Sequence, residues 1–234
     1  MPVTQPIPVT KGKKTKIFAA LLKDGDREQP HECTVTLGSA PAKGATTLTV
    51  TVSPAMPAGR AMYKGQYLLF EDADDKVYIA KLNADYTTGG SMTITPLAEG
   101  IPTASVAAFP VPFKLRTTAD VSGSTDITDV NTYDHSVSGD ASPGASTYEI
   151  STDGEYSHFD PGYNTCVEAN KSNTEVYILR ELAPPSPAFI KGKVTRGSVL
   201  ITGREEPAPN DGNVSASVSF RFTSFFEDDP VATA

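Results

Sequence analysis

The chain has 234 residues, a net charge of −8, 38% hydrophobic residues, no Trp, and 18 Gly with 19 Pro. That composition describes a turn-rich soluble protein rather than a helical one, of a length that a single all-β domain can fill. Its apolar runs are far shorter than the roughly 20 residues a bilayer-crossing helix needs, and "MPVTQPIPVTKGKKTK" lacks the apolar region of a secretory signal, so the expectation is a protein made and kept in a cytoplasm.

In chain order, Pro2, Pro6 and Pro8 make the first ten residues an extended arm. "KIFAALL" (16–22) is a short apolar strand candidate whose Ala-Ala-Leu-Leu run is equally compatible with helix, and "KDGDREQPHE" is a loop. Residues 33–108 form a compact β unit. In it "TTLTVTV" (46–52) alternates, "QYLLFED" and "KVYIAKL" flank Ala73-Asp74-Asp75 as a hairpin, and "SMTITPL" (91–97) follows the turn "TTGG". An internal echo sets Gly44, "LTVT" and Met56-Pro57 against Gly90, "MTIT" and Ile101-Pro102, which predicts pseudo-symmetry inside one small sheet.

A second β region follows Pro110 and Pro112. "PFKLRTTADVSG" places Phe113, Leu115, Thr117, Ala119 and Val121 on one face of a predicted strand, and residues 124–146 form a long polar loop. "TYEISTDGEYSHF" (147–159) alternates again, with Tyr148, Ile150 and Thr152 on one side. One helix is predicted, with Asp160 as N-cap, Pro161 at its first position and about three turns at most. "TEVYILREL" (174–182), "AFIKGKVTRG" (188–197) and "SVLITG" (198–203) are further strands. The last strand candidate is the most regular: Val214, Ala216, Val218, Phe220 and Phe222 alternate with Ser215, Ser217, Ser219, Arg221 and Thr223, so one face is buried and the other is polar and mostly small.

Charge is unevenly placed. Residues 1–30 carry 6 basic and 3 acidic side chains, whereas residues 109–234 carry 9 and 18. No Lys or Arg occurs between Arg116 and Lys171, a stretch that contains Asp120, Asp126, Asp129, Asp134, Asp140, Glu149, Asp153, Glu155, Asp160 and Glu168. Such a stretch is most simply a solvated acidic surface, and it argues against a binder of phosphate backbones, whose affinity comes from clustered cations.

No catalytic constellation stands out. His31-Glu32-Cys33 reads as plain loop rather than metal site, and "EDADD" (71–75) as a hairpin turn rather than a calcium loop. Cys33 and Cys166 read as two reduced thiols, and the sequons at Asn170 and Asn213 have no meaning without secretion. The expectation is a protein without catalysis, metal or cofactor.

Taken together, "LRTTADVSGSTDITDV", the polar loop, "STYEISTDGEYSHF", the helix from Asp160 and the pair "KVTRGSVLITGREEPAPNDGNVSASVSFRFTS" resemble the major tail tube protein of long-tailed (siphovirus-type) bacteriophages. The resemblance covers about the last 115 residues, and order and pattern carry it rather than any single motif. It implies an all-β fold: a β-sandwich or barrel tail-tube domain over residues 109–234, with one short helix. Residues 1–32 would supply its arm and first strand, and residues 33–108 an inserted β module on the outside. It implies hexameric rings that stack into a tube through which DNA passes, with the tape measure and terminator proteins as further partners, no membrane, and a place in the virion tail after assembly in the host cytoplasm. Asp126, Asp129, Asp134 and Asp140 are the candidate residues of an acidic lumen or inter-ring loop. A capsid decoration or tail-completion protein is the alternative, and a hydrolase or sugar-binding β-sandwich a more distant one.

Overall fold

The structure, a computed structural model, describes residues 15–23, 29–114, 116–130, 140–185, 189–207 and 214–232. The arm expected over the first ten residues lies outside them. Among the described residues the fold is all-β with one helix. In chain order its elements are β1 (Lys16–Leu21), β2 (Cys33–Leu37), β3 (Thr47–Ser53), β4 (Tyr67–Glu71), β5 (Val77–Lys81), β6 (Ser91–Thr93), β7 (Val106–Phe109), β8 (Val111–Pro112), β9 (Asp120–Val130) and β10 (Asp140–Glu155), then α1 (Pro161–Ser172), β11 (Val176–Glu181), β12 (Phe189–Lys191), β13 (Val194–Glu205), β14 (Ser215–Phe222), β15 (Phe226–Asp228) and β16 (Val231–Ala232).

Strands β2 to β7 build a six-stranded antiparallel sheet in the order β5-β4-β7-β2-β3-β6. Its two ends meet where Leu82 bridges Ile94, with Thr95 N donating to Lys81 O at 2.9 Å and Asn83 N to Thr93 O at 3.0 Å, so the sheet closes into a small barrel and protects its edges. The predicted echo is a real local two-fold. Leu48 pairs with Met92, Val50 N donates to Gly90 O and Ile94 N to Thr46 O, both at 2.9 Å. The β4–β5 turn is an Asx turn, in which Asp72 Oδ1 accepts from Asp74 N and Lys76 N, each at 2.9 Å.

The larger sheet runs β8-β1-β11-β13-β14-β10-β9, and β15 adds to β13. One face buries Ile17, Ile178, Val199, Val218, Phe220 and Ile150 under α1, which contributes Tyr163, Cys166 and Ala169. Near β1 and β11 the opposite face is covered as well, because Ala20, Tyr177 and Leu179 share one apolar cluster with the barrel interior. Gln66 ties the two bodies together from a fully buried position: its Oε1 accepts from Leu21 N at 2.8 Å and its Nε2 donates to Thr165 Oγ1 at 3.1 Å. A salt bridge from Lys81 to Glu168, 2.8 Å long, closes the same junction.

Helix α1 begins where its caps predict. The Asp160 carboxylate accepts from Tyr163 N at 3.0 Å, Pro161 opens the first turn, and Asn173 at φ 52° ends the helix in the left-handed conformation.

Three expectations need correction. Residues 113–119 are not a regular strand; only Arg116 pairs, in an isolated bridge with Gly154, and Leu115 lies outside the described residues. The segment instead drops Phe113 into the core and turns Arg116 inward on its way from β8 at one edge of the sheet to β9 at the other. The strands read at 188–197 and 198–203 divide elsewhere: Val194–Glu205 is one strand, and Phe189–Lys191 pairs separately with β16. Gly197 permits this continuity, since a Cβ there would lie 1.8 Å from Ser224 O, where the returning chain crosses β13. The polar loop at 124–146 is largely a hairpin, with Ser124 opposite Thr147, Ile127 opposite Pro143 and Val130 opposite Asp140. The C-terminal strands β15 and β16 carry no alternation long enough to announce them.

Candidate assembly surface

The polar face of β14 belongs to a larger surface. Residues directly opposite on neighbouring antiparallel strands share a face, so the register defines transverse rows across β13, β14, β10 and β9. Leu200, Arg221, Glu149 and Ser122 form one row, and Gly203, Ser219, Ser151 and Asp120 the next. Glu205, Ser217 and Asp153 form a third, and Ser215 faces Glu155 beyond them. Glu149, Asp153, Glu155, Ser215, Ser219 and Arg221 are exposed, and Ser151 and Ser217 are half-buried. Apart from Leu200 and Gly203 on β13, the face is thus built of hydroxyls and carboxylates with one guanidinium, Arg221, which donates to Thr147 Oγ1 at 3.4 Å.

Beside this face runs a free edge. Among the described residues β9, 11 residues long, pairs only with β10, so its outer row of N–H and C=O groups is available to another strand. Asp126 and Asp129 lie on β9, and Asp140 opens β10 opposite Val130. Asp134 lies outside the described residues. The rows bring together the carboxylates of Glu149, Asp153 and Glu155, none of which is among the four candidate aspartates. Their signal is present in "YEISTDGE" as acidic or hydroxyl residues at every second position.

A buried ion pair fixes the surface against the helix. Arg116 Nη2 sits 3.2 Å from Asp160 Oδ2, with the two side chains 4% and 0% exposed. The same guanidinium donates to Ala216 O at 2.8 Å and Glu155 O at 2.9 Å, and lies over the ring of Tyr163 at 5.2 Å. One side chain therefore joins β14, the end of β10 and the helix cap. Next to it, burial first and then a hydrogen bond to Glu206 raise the Tyr163 phenol above its ordinary range. The two thiols sit in separate cores, Cys33 with the barrel and Cys166 under the large sheet, and burial pushes Cys33 up to about 11.

Two further charge-bearing features stand out, the second of them bordering this face at Asp120. The Arg196 guanidinium holds the Asp228 carboxyl below its ordinary value through a 2.7 Å hydrogen bond. Arg180, at the end of β11, borders a cleft of about 560 Å³ shared with Thr117, Thr118 and Asp120, and burial lowers its pKa from the usual arginine value. No helix among the described residues is long and apolar enough to cross a membrane.

The sequence matches no protein-family profile and no curated protein. Among solved structures it is similar to a chain in the virion of a native gene transfer agent particle, at 13% identity and a TM-score of 0.39, covering 52% of this chain and 87% of that one. It is similar as well to a chain in the tail of an empty gene transfer agent particle with C6 symmetry, at 13% identity and a TM-score of 0.38, covering 52% and 84%. Likeness at this level fixes neither fold nor role.

Proposed function

We propose that this chain is a structural subunit of a phage tail: six copies close into a ring, rings stack into a tube, and DNA passes through the bore. The observation that carries the reading is the pairing of an uncovered hydroxyl and carboxylate face on β10 and β14 with the open edge of β9 beside it. A long unpaired edge is a liability unless another strand completes it, and ring closure completes every such edge without open-ended growth. A wall in which Ser, Asp and Glu outnumber a single cation, Arg221, suits a bore through which a polyanion must slide, because a lining rich in Lys and Arg would release counterions and grip phosphates. Six chains of net charge −8 supply the negative field. Residues 33–108 would then stand outside the tube, since a closed barrel the size of β2 to β7 would block the bore.

The test is electron microscopy of the purified protein combined with sedimentation velocity across concentration. The reading expects six-fold rings or tubes. Trimers or monomers at every concentration would favour a capsid decoration or tail-completion protein, with the barrel as its working part. Replacing Asp126, Asp129 and Asp134 together by Lys is expected to slow DNA ejection or block assembly, and unchanged infectivity of the carrying phage would place these residues away from the DNA path.

A further inference from the structure

Among the described residues Arg180 and Arg116 each keep a buried Nε without a hydrogen-bond partner, and Arg180 is the one whose surroundings offer it less. A guanidinium cannot shed its proton to escape this state, and a buried donor left unpaired costs more when it belongs to a charged group. The neighbours do not supply the acceptor. Thr117 and Thr118 point their hydroxyls at Asp153, donating to its backbone O at 3.0 Å and its Oδ2 at 3.1 Å. Arg116 is held by Asp160 and two carbonyls. Asp120 and Glu227 act on Arg180 through space and favour its charge.

Although its Nε is itself shielded, Arg180 lines open space. The cleft of about 560 Å³ runs between Ile17 and Arg180 on one side and Thr117 to Asp120 on the other, large enough for a side chain with its carboxylate. Asp120 is also the first residue of β9, so a strand laid along the free edge of β9 would begin beside the cleft. We infer that the cleft at Arg180 receives a carboxylate side chain from a second copy of this chain. The chain is rich in the required group, with ten Asp or Glu and no Lys or Arg between residues 117 and 170. A guanidinium is suited to the task because its planar donors match a carboxylate and because it is weakly hydrated, which is why arginine is enriched where surfaces become buried.

This inference rests on the ring reading, and its test separates the two. Wild type, Arg180→Gln and Arg180→Lys are compared for the concentration at half-assembly by sedimentation velocity, with circular dichroism and thermal melting as the check on folding. The expected result is that Arg180→Gln folds but needs an about tenfold or higher concentration to assemble, as when one partner of a buried charge pair is truncated. Arg180→Lys, which keeps charge but not the planar fork, falls between; if the Gln variant does not fold, the Lys variant decides by the same shift. Assembly of the folded variants at the wild-type concentration would overturn this inference and leave the ring reading standing, whereas a wild type that never assembles contradicts both. Sodium acetate at constant ionic strength is the remaining arm: raised melting of the wild-type monomer but not of Arg180→Gln would assign the cleft to a soluble carboxylate and overturn the second-copy assignment.

Discussion

Arg116 ties distant parts of this fold together, because one guanidinium meets a carboxylate on the helix cap and carbonyls on two strands while lying over an aromatic ring. Removing one member of a buried ion pair leaves the other uncompensated, which costs about 3–5 kcal/mol. Arg116→Met is therefore expected to lower the free energy of unfolding by about that amount, read from the midpoint of urea denaturation. A loss no larger than that of an exposed surface substitution would show that Asp160 finds another partner. Gly197 presents a different constraint, since a methyl group there meets a backbone carbonyl that cannot rotate away. Gly197→Ala is expected to cost about 1–3 kcal/mol in the same assay, whereas Gly203→Ala, with 3.8 Å to its nearest neighbour, should be far milder. Buried acids set the alkaline limit. The thiol of Cys33 rises from 9.0 to about 11, so below pH 9.0 both folded and unfolded chains keep the proton. Above it the unfolded chain releases the proton first, and stability falls as pH climbs from 9.0 towards about 11. Cys166, Tyr67, Tyr86, Tyr163 and Tyr177 are all shifted upward and act in the same direction. Urea midpoints measured through that window should decline steadily, and a flat profile would mean these groups are more solvated than their packing implies.

At the scale of elements, what the sequence reveals depends on how local its causes are. The helix is legible because Asp160 and Pro161 are neighbours of the structure they specify. Strand β14 and the β4–β5 hairpin are legible for the same reason, as strict alternation and an Asx turn both act within a few residues. Segment 113–119 misleads, because its alternation is that of a strand while its path is set by Gly162, Asp160 and Ala216, all distant in the chain. The β9–β10 hairpin is hidden by its Gly, Ser and Asp content, which resembles loop; its pairing comes from register with β14, itself fixed by the buried row Ile150 and Phe220. The acidic residues of the surface were legible as a class, whereas the rows that gather Glu149, Asp153 and Glu205 require the register of three strands. Hydrogen exchange tests the role of β9 directly. Its outward amides are expected to exchange fast in the monomer and to become protected on assembly, and equal protection in both states would mean that the edge is not where copies meet.

In the whole molecule the barrel and the large sheet pack directly against each other. They share an apolar cluster through Ala20, Tyr177 and Leu179, and Gln66 and Lys81 pin the barrel to β1 and α1. A single cooperative thermal transition is expected, with equal calorimetric and van't Hoff enthalpies; two resolved transitions would show that the junction is too weak to couple them. Rigid coupling matters for the proposed role, because a ring subunit must hold its edge and its polar face at a fixed angle to close after six copies. The most direct test of that role is a density map of the assembled protein. The account predicts closed six-fold rings in which β9 of one copy is hydrogen-bonded to its neighbour and Ser217, Ser219, Glu149 and Asp153 face a central bore. A map with these residues on the outer wall, or with a bore lined by Lys and Arg, would contradict it.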